Sequence, residues 1–572
     1  MMAGAPWDKE VDVLVIGSGA GGLLAALVAS HNHADVLVVE KSNLWGGTSA
    51  TSGGGIWIPC SDQAKAAGVD DDPEQAFKYI RELSATNVPD SSIKAFVAAA
   101  PEMLRWVTAN TTIHFDAFPY PDYHAELPGG RKDGFRTHMP TEPIDGRLLG
   151  KDMQSLRPTS LAVSLFGKIN WQFTETYMLL FRPRLWWLGL LRMLWRYYSD
   201  IGQRFRSDKD RFLTLGNALL GGLRLALNKA GVPLWLDAPM IELVVSNGKV
   251  TGAIITRKGK AMRIGARKGV VLAAGGFEHS AKLREEHIPL QPVTSRSGGQ
   301  VNNTGDSIIA ATAIGAATRN MHSTWAAPVF SVPGEDRGRL VTIERALPGC
   351  IMVNQAGIRY LNEAASYHIV GQQMAASNKP EARTDPSWVV FDHDFRHKYP
   401  MGPVIPLMPD WLQAGAVRSI LHKASTIEEL AAQIGIDGTA LAATVKRFNE
   451  YAATGDDPDF HRGDAAYDRM YGDPRQTPNP CLAPIVKAPF YAFPIYAGDI
   501  GTNGGLVTDD FARVLDAKGK VIDGLYAVGN NAASVMGESY PGAGSTLGPS
   551  MTFGYVAARH MTGANQTGHK DG

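Results

Sequence analysis

The chain is 572 residues long, with 44% apolar and 20% charged residues, an ordinary globular balance that allows two or three domains with large cores. Lys plus Arg and Asp plus Glu each number 56, which excludes a global basic field for nucleic acid and a solvating acidic tail. Cys60, Cys350 and Cys481 lie far apart with no CxxC pair, so neither a disulfide framework nor a metal site is expected, and a reducing, cytoplasmic setting fits.

The first predicted elements lie in VDVLVIGSGAGGLLAALVAS and DVLVVEKSNLWGGTSATSGG, which read as strand, glycine turn, helix, strand and then an acid. That order builds a pocket for a dinucleotide. Gly17 permits the tight turn, Gly19 lets the backbone approach a pyrophosphate, and Gly22 allows close helix–strand packing, while the helix beginning near Ala20 presents aligned N–H donors. Glu40 closes the second strand, 18 residues after Gly22, where a carboxylate accepts from ribose hydroxyls, and Lys41 follows it. Gly46, Gly47, Thr48 and Ser49 come next, with Gly53 beyond, and their small side chains leave room for the far end of an extended cofactor. The same glycine turn interrupts the apolar stretch 13–29, which has acids before it, no basic leader and no cleavage site, and so argues against a signal sequence or a membrane span.

Residues 179–206, LLFRPRLWWLGLLRMLWRYYSDIGQRFR, are unlike the rest: Trp186, Trp187 and Trp195 sit among leucines with Arg182, Arg184, Arg192, Arg196, Arg204 and Arg206, and no acid precedes Asp200. Too short and too charged to cross a bilayer, the segment suits a helix lying in the membrane interface with its arginines at anionic headgroups, which would put the protein on the inner face of the cell membrane. A core or subunit-contact helix is the alternative, because Trp and Arg are also enriched at protein interfaces. Further on, LWLDAPMIELVVSNGKVTGAII has the alternation and Asn-Gly turn of a hairpin, and GVVLAAGGF, with Ala274 and Gly275, returns the chain to the parallel sheet. Residues 289–490 mix strands, Pro-rich loops and a helical stretch in which Thr426 caps with Glu429, and they read as a separate lid or substrate domain. GLYAVGNNAA, carrying Gly529 and Asn530, is a buried strand running into amides, and TLGPSMTFGYVAARHM, with Leu547 and Gly548, is a closing helix.

The predicted fold is thus α/β: a Rossmann-like domain in three pieces, 1–139, 207–288 and 491–572, interrupted by a Trp/Arg-rich helical insertion at 140–206 and a mixed α+β capping domain at 289–490. GGTSATSGGGIWIP, GVVLAAGGFE and GLYAVGN give it a resemblance to the fumarate reductase and succinate dehydrogenase flavoprotein superfamily. The resemblance implies FAD, held by Gly17, Gly19, Ala20, Gly22, Glu40, Lys41, Gly47, Thr48, Ser49, Gly53, Ala274, Gly275, Gly529, Asn530, Leu547 and Gly548.

Tyr123 in FPYPDYHAELPGG, Tyr367 in GIRYLNEAASYHIVG and Tyr540 in ESYPGAGSTLGPSMTFGY resemble the signatures of 3-ketosteroid 1-dehydrogenases, which introduce a 1,2 double bond into ring A of 3-oxosteroids. The similarity covers most of the chain outside roughly 140–206. It implies that Tyr540 and the N–H of Gly544 polarise the 3-keto oxygen and that Tyr367 takes the proton of carbon 2. Tyr123 would lower the pKa of Tyr367 by hydrogen bonding to its phenolate. Glycine at 544 fits because a Cβ would obstruct backbone approach to the ring. The chain departs from the pattern at His124, where Tyr is common, and at Ala543, where Pro is common. Each tyrosine alone, among 17, is most simply a packed ring, so the three contexts carry weight only together. Tyr491 in PFYAF is expected to pack near the active site. The partners implied are a 3-oxosteroid and a quinone or other electron acceptor. A 5α-3-oxosteroid 4-dehydrogenase, a fumarate or enoate reductase, and a flavin-binding electron carrier without a substrate are the alternatives; a dicarboxylate site would need several cations, and the loops around Tyr367 and Tyr540 offer few.

Overall fold

The computed structural model describes residues 6–84, 86–289 and 293–564. Its larger sheet has eight strands. Lys9–Ile16 pairs in parallel with Val36–Val39 on one side and with Lys260–Leu272 on the other, and Val521–Ala527 joins the far end of that long strand, again in parallel. Val13 and Val15 face one core and Leu14 and Ile16 the other, which is why this strand reads as a near-continuous apolar run. The opening helix Ala20–His31 is buried from Ala20 to Ala29 and so lacks a polar face. It lies between the helices Leu215–Lys229 and Leu547–Thr562.

Met240–Ser246 and Lys249–Arg257 form the expected hairpin, with Asn247 and Gly248 both at positive φ, as a two-residue turn of this kind requires. A second sheet of six strands carries Thr324–Phe330, Cys350–Val353, Ser387–Phe391, His422–Ala424 and Phe490–Thr502. The boundary expected at 490/491 falls at the start of Phe490–Thr502, a strand this second sheet holds along its length, so the chain leaves it only after Thr502. Thr426 Oγ1 accepts from the N–H of Glu429 at 3.1 Å, while the Glu429 carboxylate reaches back to the N–H of Ser425, one residue earlier than a closed capping box would use. Tyr491 is buried against Phe391 in the core of this second sheet and does not reach the cavity described below, because its strand turns that residue to the far face.

Residues 179–206 are not one helix. Arg182 and Leu185 both adopt the left-handed conformation, and the chain breaks into Thr176–Phe181, Trp186–Tyr198 and Ile201–Arg204. No helix among the described residues is long and apolar enough to cross a membrane.

Candidate active site

A cavity of about 1180 Å³ runs from the glycine turn at 17–22, between the two sheets, to the inserted helices. Single-ligand pockets span roughly 300–1000 Å³, so this one has room for an extended cofactor and a substrate end to end.

Its deep half is built by the nucleotide motif. Gly17 has φ of +109°, and a Cβ there would stand 2.3 Å from the carbonyl oxygen of Ala273, so both conformation and space demand glycine. Gly19 is the N-cap of the opening helix and supplies no side-chain cap; the N–H of Ala20 reaches Ser49 Oγ, and the next donors are left for an anion. Glu40 is aimed by the N–H and hydroxyl of Ser18 at 3.1 and 2.6 Å and by the N–H of Ser42 at 3.0 Å. Lys41 lines the cavity, but its ammonium is bound to Asp306 and Thr304 at 2.7 and 2.6 Å. Gly22, Gly47, Thr48, Ser49 and Gly53 also line the cavity, as do Ala274, Gly275, Gly529, Asn530 and Leu547. Gly548 does not: it packs against the Trp57 carbonyl.

Sequence reasoning missed Asn531. Its Oδ1 accepts from the N–H of Ala274 at 2.5 Å, whereas its buried Nδ2 has no partner. The Oδ1 of Asn530, the expected contact, accepts from Trp325 Nε1. An uncapped helix start, an aimed carboxylate and an orphaned buried amide donor are what a dinucleotide's pyrophosphate, ribose and ring edge would satisfy, so these residues fit FAD.

The outer half is built around three phenols. Tyr123 and Tyr367 have ring centroids 5.5 Å apart, and each lies 5.4 Å from Tyr540, a nearly equilateral triangle. Each comes from a different element. Tyr367 opens the helix Tyr367–Ala376, capped by Ser366. Tyr123 lies in a loop whose N–H donates to the Pro541 carbonyl at 2.8 Å, and Tyr79 donates to the same carbonyl at 2.7 Å. The loop is pinned further by Asp122, which accepts from Trp57 Nε1 and pairs with the buried Arg136 at 2.9 Å.

Tyr540 sits in the YPGAG loop, where the N–H of Gly544 turns to its hydroxyl. Gly544 has φ of +98°, and a Cβ would meet the backbone of Ile56 and Trp57 at 2.5–2.6 Å. The strand behind it therefore already requires glycine at this position. Ala543 replaces the common proline without loosening the turn, because its carbonyl accepts from Thr137 Oγ1 at 3.0 Å. The N–H of His124 reaches the Tyr79 hydroxyl at 3.2 Å, and burial holds its imidazole toward the neutral form.

Burial pushes Tyr367 well above the ordinary phenol range, and the neighbouring phenols of Tyr123 and Tyr540 add to it, which favours the neutral form. In the neutral cluster Tyr123 is among the groups that raise Tyr367; once Tyr367 has lost its proton, the Tyr123 hydroxyl is free to turn and donate to the phenolate. Burial also raises Tyr540, opposed by hydrogen bonds from Tyr367, Thr546 and Gly544. His368, which follows Tyr367 in the chain, is held by burial at about 4 and is neutral. The arginines lining the cavity are engaged elsewhere: Arg157 with Ser42, Arg182 with the carbonyls of His397 and Lys398, and Arg339 with Glu335. None lies at the triangle.

Residues 12–547 match the family described as the FAD binding domain. The chain is 39% identical over 98% of its length, and 100% of the other's, to the 3-oxosteroid 1-dehydrogenase of Mycobacterium tuberculosis. It is 37% identical over its whole length, and 96% of the other's, to a 4-oxocyclohexanecarboxylate 2-dehydrogenase of Sinomonas cyclohexanicum. Among solved structures, the 3-ketosteroid delta1-dehydrogenase of Sterolibacterium denitrificans in complex with 1,4-androstadiene-3,17-dione matches with a TM-score of 0.92 and 42% identity, over 97% of this chain and all of that one. Set beside the phenol triangle and the nucleotide pocket, these likenesses assign the chain to the FAD binding domain family and, within it, to the 3-oxosteroid 1-dehydrogenases.

Proposed function

We propose that the protein is an FAD-dependent 3-oxosteroid 1-dehydrogenase that forms the carbon 1–carbon 2 double bond of ring A. The observation that carries this reading is the Tyr123–Tyr367–Tyr540 triangle with the Gly544 N–H beside it, at the junction of the nucleotide pocket and an apolar chamber. FAD, when bound, accepts the hydride from carbon 1. Tyr540 and the Gly544 N–H hold the 3-keto oxygen, and their hydrogen bonds strengthen as that oxygen gains charge. This makes the proton on carbon 2 acidic, and Tyr367 takes it. Leu179, Leu180, Trp186, Leu190 and Leu412 wall the outer chamber and suit a flat apolar skeleton. A cyclic ketone acid, the substrate named for the Sinomonas relative, would call for a cation near the ring, and the arginines of the cavity are engaged away from it.

The test is anaerobic mixing of the holoenzyme with androst-4-ene-3,17-dione. Loss of flavin absorbance with a 1,4-diene product is the expected result. An electron carrier would not bleach, and a 4-dehydrogenase would bleach only with a 5α-saturated ketone.

The same reading extends to a lipid surface. Leu188, Leu191, Trp195 and Tyr198 recur at helical spacing on one face of Trp186–Tyr198 and are 48–76% exposed, and Phe205 beyond them is 88% exposed. Trp186 and Leu190 of the same helix line the cavity mouth. Arg184, Arg192 and Arg206 form no ion pair among the described residues, which matches anionic headgroups. On this reading the substrate enters from the membrane in which it dissolves, and a quinone there can take the electrons. Holoenzyme should float with phosphatidylglycerol vesicles, and a Leu188→Ser, Trp195→Ser variant should stay in the soluble fraction at least tenfold more while keeping its turnover. A variant that still floats, or one whose only change is the loss of a dimer, would reject the lipid contact.

A further inference from the structure

The phenol triangle has a charged neighbour on the side away from the cavity. Tyr467 packs behind Tyr123, with ring centroids 4.8 Å apart. Arg345, wholly buried, is the cation whose charge acts on both Tyr467 and Tyr123. Arg345 Nη1 donates to the carbonyls of Glu363 and Ala365, just ahead of Tyr367 in the chain, and Nε donates to the Val341 carbonyl at 3.4 Å. Its Nη2 has no partner. The Tyr467 hydroxyl, turned toward Tyr123, makes no closed hydrogen bond either. Unpartnered buried donors are rare and ask for an explanation.

The groups that face this guanidinium are the phenols of Tyr467 and Tyr123 and the carboxyls of Glu344 and Asp468. Glu344 accepts from the N–H groups of Thr342 and Ile343, and Asp468 from Asn362 and Gly463. Burial pushes both acids up toward their neutral forms. The carboxylate of Glu363 is bound by Arg359 and Arg462. Tyr123 is faced in addition by Tyr367 and Tyr540. Burial weakens the charged form of Arg345, yet its charge is the one that favours the anions of both Tyr467 and Tyr123.

We propose that Arg345 is a positioning residue for proton abstraction, supplying through Tyr467 and Tyr123 the positive charge that offsets a phenolate on Tyr367. This rests on Tyr367 being the base. A phenol buried against two other phenols is a weak base, and something must favour its anion. A cation in a low-dielectric surround does so far more effectively than one in water. The proton that Tyr367 gives up goes to solvent before the substrate binds, and the proton from carbon 2 restores the neutral phenol. Arg345 touches neither the substrate nor the cofactor cavity.

The experiment is the pH profile of kcat/KM for FAD-loaded Arg345→Met, Arg345→Lys and Tyr467→Phe. Turnover rises with pH as the phenolate forms. Without the guanidinium that anion forms at higher pH, so the midpoint of the rise should move up by about one unit or more in Arg345→Met, roughly tenfold slower turnover per unit at a fixed neutral pH. Arg345→Lys should return the midpoint toward the parent value. Tyr467→Phe keeps the main-chain bonds of Arg345 and should shift the midpoint in the same direction, so it decides the matter if Arg345→Met does not fold. Unchanged midpoints in folded Arg345→Met and Tyr467→Phe would overturn the proposal. Full turnover by Tyr367→Phe would instead remove the base on which it rests.

Discussion

Replacing Tyr367 with Phe should leave a folded protein that holds FAD and binds steroid, with kcat lower by about 10²–10⁴-fold, the usual contribution of a positioned base. The ring stays in place because its packing does not depend on the hydroxyl: it stands edge-on to both Tyr123 and Tyr540. What disappears is the hydroxyl of the one ring in contact with both other phenols from the capping stretch. The loss should therefore fall on kcat far more than on KM, since a proton acceptor contributes little to ground-state binding. Stopped-flow bleaching of the flavin by androst-4-ene-3,17-dione reads the step directly. A rate within threefold of the parent would show that some other group takes the proton.

Tyr540→Phe should cost about 10²–10³-fold in the same step, the range for loss of one donor at a developing oxyanion. The Gly544 N–H remains, held by the strand at Ile56–Trp57, so part of the polarisation survives. The phenol of Tyr540 is also a direct neighbour of Tyr367 and acts on its proton. Its removal therefore perturbs the base as well, and the double variant should be much less impaired than the product of the single losses. Strict multiplication of the two effects would separate the ketone-binding and proton-taking roles into independent sites.

Much of the nucleotide half was legible in the sequence because its physics is local. A turn that excludes a Cβ, a helix start and a strand-ending acid fall within 24 residues, Gly17 to Glu40, and each leaves its own mark on residue choice. Lys41 lines the cavity, but its side chain is long enough to reach Asp306, a partner with no neighbourhood in sequence. Asn530 and Asn531 are adjacent and chemically identical, and only the backbone after Val528 decides which amide is left without a partner.

The catalytic half was legible only through resemblance. No periodicity links residues 123, 367 and 540, whose rings meet because loops from separate elements converge. Tyr467 and Arg345 carried no motif at all, and their meaning comes from burial and orientation. The inserted helices were recognised by composition, yet the breaks at Arg182 and Leu185 follow from the need to turn some apolar side chains into the cavity while others face outward.

Tyr367 belongs to the stretch between 289 and 490, whereas Tyr123 and Tyr540 are fastened to one another through Pro541, and the hydrogen bonds that tie the Tyr367 helix to the Tyr540 segment are those of His368 Nε2 and Gln372 Nε2 with the one Glu538 carbonyl, at 3.0 and 3.4 Å. Swinging the two halves apart by even a few ångströms would carry the proton acceptor away from the electrophile while leaving each intact. On the proposed function, such a separation would leave a molecule that still holds both of its parts yet turns nothing over.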